Sequence, residues 1–312
     1  MHVTFRQLRL FQSLADTGSV SRAAAAHHVT QPTASAQLKE ITESVGLTLY
    51  EVIGRQVHLT DAGHRLAQTA RAISSEWESF EQYADGVKGL SRGRLRIAAV
   101  STAKYFIPRL VGNFCKLHPA VDVSLEVLNR DGVVARLREN LDDIYIMTTP
   151  PDSLDLDDAV FMENPLVLIA ARGTFPRNTG VMTLAQLRGQ RFILRERGSG
   201  TRMAVDQHFR KHRFKPDIRM ELGSNEAIKE AVAGGLGIGI ISLHALAHDK
   251  QTELDILKAE GFPIPSRWHV VHLRPKRLSP IASAFKDSLL GENGSRDNPE
   301  RAKRRSKAGT NL

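Results

Sequence analysis

Along the first sixty positions apolar residues return every three or four places, in short runs separated by polar punctuation. Phe5, Leu8, Phe11 and Ala15 mark one helical face. Gly18 breaks the pattern, Ser19 stands in a capping position, and VSRAAAAHH predicts a second helix whose small residues let a neighbour pack closely. Pro32 has no amide hydrogen and is tolerated in a helix only in the first turn. A third helix therefore starts at about Thr30, which caps it, with Ala34, Leu38, Ile41 and Val45 as its inward stripe. This sequence of elements predicts a helix-turn-helix. The β-type residues on either side of Gly54-Arg55 predict a small hairpin, or wing.

Residues 61–90 read as one long helix. Thr60 caps it, Asp61 lies in its first turn, and Leu66, Ala70, Ile73, Trp77, Phe80, Ala84 and Val87 alternate steps of four and three. That is a heptad seam on a rod of roughly 40 Å. Its position between two domains favours dimerisation over packing on a globular core.

Residues 91–290 alternate apolar strands, such as LRIAAV, PLVLIAA and GIGIIS, with helices such as VVARLREN and NEAIKEAVAG. The alternation predicts an α/β domain in two lobes with a largely parallel sheet. Residues 291–312 are polar, contain the cluster RAKRRSK, and predict a disordered basic tail.

Composition narrows the function. The 312 residues suffice for two or three domains, and the net charge of +9 favours an anionic partner, although it also serves solubility. The lone Cys115 forms no internal disulfide and, in its apolar helical setting, is expected as a buried, inert thiol. No apolar signal core opens the chain and no stretch approaches the length of a membrane span, so the expectation is a cytoplasmic protein without membrane contact.

The outward face of the third helix carries Gln31, Thr33, Ser35, Gln37 and Lys39. These are adaptable hydrogen-bonding groups suited to base edges and phosphates of double-stranded DNA. Arg55 at the wing tip is placed to reach a minor groove or phosphate. Within residues 1–65 basic side chains barely outnumber acidic ones, so this reading rests on motif geometry rather than charge. Ser19, Thr30 and Pro32 complete the candidate DNA-binding set.

The stretch FRQLRLFQSLADTGSVSRAAAAHHVTQPTASAQLKEITESVGLTLYEVIGRQVHLTDAG resembles the LysR-type transcriptional regulators. The resemblance implies an N-terminal winged helix-turn-helix, a long dimerisation helix and a two-lobed α/β effector domain like the periplasmic binding proteins, an α+β multidomain chain overall. STAKYFIPRL, NRDGVVARLRENLDDIYIM and GSNEAIKEAVAGGLGIGIIS look most like the regulators of the RuBisCO (Calvin-cycle) operons. That implies a homodimer assembling to a homotetramer, RNA polymerase as a partner, and control of carbon-fixation genes. It also implies a small anionic effector, a phosphorylated metabolite or nucleotide.

Two hydroxyl-rich helix starts are the candidate effector contacts. Ser101-Thr102 follow the first strand, where ligands gather at the carboxyl end of a parallel sheet. Ser199, Gly200, Thr201 and Arg202 open another helix, whose amides and dipole favour a carboxylate or phosphate. Thr148-Thr149, ending the strand DIYIM, are placed to line the same cleft.

Other signals are weaker. His208/His212 and His244/His248 have i, i+4 spacing but no third ligand nearby, so no metal is expected. GGLGIGI follows a helix and leads into a strand, the reverse of a dinucleotide fingerprint. Asp142-Asp143 and Asp157-Asp158 read as solvated strand starts or turns. With no nucleophile-base arrangement and no cofactor motif, the chain reads as a non-enzyme. The alternatives are a cytoplasmic small-molecule-binding protein whose N-terminal helices serve assembly, or a LysR-type regulator of another biosynthetic operon.

Overall fold

The computed structural model describes residues 2–54, 56–87, 93–176, 180–246 and 253–294. The chain folds as two compact units.

In the N-terminal unit, α1 (Phe5–Thr17) opens on a capping box between Thr4 and Gln7 and ends at Gly18, whose φ of 61° admits the left-handed turn. Next come α2 (Val20–Ala26), capped by Ser19, and α3 (Gln31–Val45), capped by Thr30 and ending at Gly46. The core is Leu10, Phe11 and Leu14 of α1 with Ala23, Ala24, Ala34, Leu38 and Ile41. The α1 stripe is thus rotated from the expected one, and Phe5 lies instead beside Trp77, with ring centroids 6.0 Å apart. The hairpin forms as expected: β1 (Tyr50–Ile53) pairs antiparallel with β2 (Gln56–Leu59), Val52 opposite Val57.

α4 (Asp61–Val87) is 27 residues long. Gly63 is required where it enters, because a Cβ there would stand 1.9 Å from the Leu49 carbonyl oxygen. The expected seam is corrected at Ala70, which is fully buried, while Leu66 is half-buried and packs on the core. Ser74, on the same inward face, donates to Gln12 Oε1. Ile73, Trp77 and Phe80 are open, at 41, 50 and 58% exposure, and Ala84 is half-buried. The Val87 side chain and Arg55 lie outside the described residues.

The C-terminal unit has two lobes. The first contains β3 (Gly93–Val100), α5 (Ile107–Leu117), β4 (Val121–Leu128), α6 (Arg130–Arg138), β5 (Ile144–Met147) and β6 (Leu156–Glu163). The second contains β7 (Leu166–Ala171), α7 (Leu184–Leu187), β8 (Arg191–Arg195), α8 (Gly200–Lys211), β9 (Asp217–Leu222), α9 (Asn225–Ala233), β10 (Ile238–Ser242) and β11 (Leu254–Leu257). The chain then returns to the first lobe with β12 (Arg267–Leu273) and α10 (Pro280–Gly294). The sheet orders are β4-β3-β5-β12-β6 and β11-β7-β10-β8-β9.

Both sheets are mixed, not largely parallel. β3 runs parallel to β4 and β5, while β12 pairs antiparallel with β5 and β6. In the second sheet β10-β8-β9 is parallel, and β7 and β11 are antiparallel. The antiparallel half arises because the chain crosses between lobes twice. The sequence reading missed β6 and β11.

Three smaller expectations are also corrected. Cys115 is half-buried rather than buried. α10 runs on to Gly294, four residues into the expected tail; the rest of the tail lies outside the described residues. Asp142 and Asp143 are buried, not solvated: Asp142 accepts both Nε and Nη2 of Arg136 at 2.8 Å, and Asp143 meets Lys276 Nζ at 3.3 Å. Asp157 and Asp158 stand, as expected, at the partly exposed start of β6, where they pair with Lys286 and His269. Among the described residues no helix is long and apolar enough to cross a membrane.

Candidate functional site

The candidate DNA face is built by capping. Ser19 Oγ accepts from the Arg22 amide and Thr30 Oγ1 from the Thr33 amide, so both hydroxyls fix helix starts. Gln31, Pro32, Thr33, Ser35 and Lys39 are exposed on α3 and Gln37 is half-buried. Gln31 Oε1 accepts from Ser21 Oγ at 3.0 Å, which ties α3's first turn to α2. Lys39 pairs with Glu43 at 3.7 Å, both well exposed, a contact that leaves the ammonium free to be taken by a stronger anion.

In the C-terminal unit the two lobes face each other across a narrow, nearly closed cleft with about 10 Å³ of free volume. Val100, Ser101, Thr102, Arg130 and Thr148 line it from the first lobe, and Arg195, Ser199, Gly200 and Thr201 from the second. The predicted hydroxyl clusters therefore converge. Thr149 stands at the margin, its carbonyl accepting from Arg130 Nε at 2.8 Å.

Arg202 does not belong there. Its guanidinium is drawn away to Asp206, to Glu221 at 2.9 Å and to the Arg195 carbonyl oxygen, so it braces α8 against β8 and β9. The sequence reading also missed the two cations that do line the cleft. Arg130 opens α6 and Arg195 ends β8, at the carboxyl edge of the parallel strands. The apolar run RFILR carries no local sign of this.

The chemistry of the cleft suits an anion. It combines two guanidiniums, several hydroxyls and the first turn of α8, whose amides have no intrahelical acceptor. The lobes are joined beside it. Tyr105 Oη and Lys104 Nζ of the first lobe donate to Glu226 of α9 at 2.6 and 2.9 Å. Burial pushes the Glu226 carboxyl up, but these hydrogen bonds outweigh it and hold it down at about 2. Burial together with Glu226 raises the Tyr105 hydroxyl.

His208 and His212 stack with ring centroids 4.3 Å apart, and burial pushes His208 down to about 4. His244 packs on Phe106, and His248 lies outside the described residues. Among the described residues no three potential ligands gather around a metal position. A larger cavity lined by Arg172, Phe175, Met182, Ile256 and Lys258 lies at the β11 edge and contains none of the predicted residues.

A family model described as bacterial regulatory helix-turn-helix protein, lysR family, matches residues 5–64, and one described as LysR substrate binding domain matches residues 88–293. The chain is 41% identical over 290 residues to the HTH-type transcriptional activator CmpR of Synechocystis sp., covering 93% of this chain and 95% of that protein. It is 40% identical over 293 residues to a RuBisCO operon transcriptional regulator of Allochromatium vinosum, covering 94 and 97%. The solved regulatory domain of Synechocystis CcmR in complex with 2-PG matches with a TM-score of 0.64 and 44% identity, over 66% of this chain and 99% of that one.

Proposed function

The chain belongs to the LysR family of bacterial transcriptional regulators, and we propose that it governs carbon-fixation genes in response to a small phosphorylated acid held between its lobes. It is a regulator and not an enzyme, and it binds DNA through its helix-turn-helix. The observation that carries the proposal is the convergence of Arg130, Arg195, Ser101, Thr102, Thr148 and the first turn of α8 on one cleft. The likeness to a domain solved with 2-PG supports a phosphorylated ligand there.

The arrangement supports a mechanism. Dimers formed along α4 assemble into a homotetramer, and each α3 enters a major groove with Gln31, Thr33, Ser35 and Gln37 leading. The effector binds one arrangement of the lobes better than another, because equal affinity would shift nothing. The changed tetramer then presents itself differently to RNA polymerase.

The test is a footprint on DNA upstream of carbon-fixation genes, at two salt concentrations, with and without 2-phosphoglycolate. The expected result is an interrupted palindrome whose protected extent changes with the ligand, and loss of site preference in Gln31→Ala and Ser35→Ala. Protection that ignores the ligand would remove the effector assignment. Binding that only fades with salt, without a preferred site, would remove the recognition-helix assignment.

A further inference from the structure

The most buried charge in the cleft wall is Arg195, whose side chain is 2% exposed. A guanidinium so placed demands a counter-charge. The next residue supplies it: Nε and Nη2 donate to Glu196 Oε2 and Oε1 at 2.8 and 2.9 Å, a bidentate pair along one edge of the fork. The other edge is used differently. Nη2 also reaches Ser101 Oγ at 3.1 Å and the Gly223 carbonyl oxygen at 3.3 Å, and among the described residues Nη1 makes two long contacts, both 3.4 Å, to Thr102 Oγ1 and Asn225 Oδ1. Ser101 and Thr102 are cleft wall, and Glu196 is not.

We propose that Glu196 is a positioning residue for the effector, clamping one edge of Arg195 so that the Nη1–Nη2 edge is presented to the ligand's anionic group beside Ser101 and Thr102. The proposal rests on the reading of the cleft as the effector site. A guanidinium is a rigid plane with five donors, so fixing one edge fixes the other. An oxygen of a carboxylate or phosphate replaces the long neutral contacts of Nη1 with a shorter, charge-assisted bond of about 2.8 Å. The Arg195–Glu196 pair is also neutral as a unit. The field that draws the ligand in is therefore left to Arg130, whose nearest carboxylate, Asp131, is 3.7 Å away and mostly exposed, and to the α8 first turn.

Calorimetric titration of the full chain with 2-phosphoglycolate tests this. Glu196→Gln keeps the side chain's length but removes the charge and one acceptor, and is expected to weaken binding about 10- to 100-fold. Glu196→Asp keeps the charge and is expected to recover part of the loss. A merely structural Glu196 would lower the melting temperature of both variants without this charge-dependent rescue. Wild-type affinity in Glu196→Gln would overturn the proposal, and so would tighter binding, which would make Glu196 a competitor for Arg195. Arg195→Gln separates the two levels of inference. If it abolishes binding while Glu196→Gln does not alter it, only the positioning role falls. If Arg195→Gln binds normally, or the wild type binds neither 2-phosphoglycolate nor inorganic phosphate, the cleft reading falls and this proposal with it.

Discussion

Replacing Gly200 with alanine would put a methyl group into a tight contact between the lobes. A Cβ at this first residue of α8 would stand 2.6 Å from Thr148 Oγ1 of the opposite lobe, about 0.8 Å inside ordinary contact. The backbone itself tolerates alanine, since Gly200 is helical and has no positive φ. The cost therefore falls on lobe approach. Overpacking of this kind costs about 1 to 3 kcal/mol. If the effector is held by the closed lobes, that cost appears as about 5- to 150-fold weaker binding. Titration with 2-phosphoglycolate should show this loss in Gly200→Ala. Thr148→Ala removes the obstructing hydroxyl, leaving Thr149 Oγ1 at 3.7 Å and Arg130 Cδ at 3.9 Å as the next neighbours, both ordinary contacts. In the Thr148→Ala background the Gly200→Ala step should therefore cost little, a coupling that a double-mutant cycle reads directly. Wild-type affinity in Gly200→Ala, or an equal cost in both backgrounds, would refute the reasoning.

Two further outcomes follow from the same geometry. Ile73→Glu and Phe80→Glu should convert dimers to monomers in sedimentation velocity, since both side chains are open on α4; unchanged sedimentation would move the interface elsewhere. Glu226 has its carboxyl held at about 2, below its ordinary 4.5, so its stabilisation is complete above pH 4.5 and is lost as the pH falls toward 2. With the side chain 46% exposed, solvent screening discounts this to about 1 kcal/mol. Urea midpoints of the wild type and Glu226→Gln should converge between pH 4.5 and 2.5, and parallel curves would rule the contribution out.

The N-terminal unit was legible in the sequence because its determinants are local. Ser19 and Thr30 cap the helices they precede, Pro32 marks a first turn, and Gly54 sits where the hairpin reverses. Each of these signals acts within three or four residues. The seam on α4 was half legible. A heptad pattern identifies an apolar stripe, but only packing decides that Ala70 faces its own unit while Phe80 stays open.

The cleft divides in the same way. Its hydroxyls were visible because Ser and Thr at helix starts are sequence signals. Its cations were not, since what a charge does depends on its partners. Arg202 looked like a ligand contact until Asp206 and Glu221 captured it, and Arg195 looked like the end of an apolar strand until β8 delivered it to Ser101 and Thr102. Asp142 and Asp143 looked solvated until Arg136 and Lys276 closed over them. Thus the sequence by itself determined the helix-turn-helix, the long helix that follows it and the hydroxyl rim of the cleft. The tertiary structure alone decided which charges are buried, because burial depends on distant packing and partners such as Lys276 and Asp143 lie 133 residues apart.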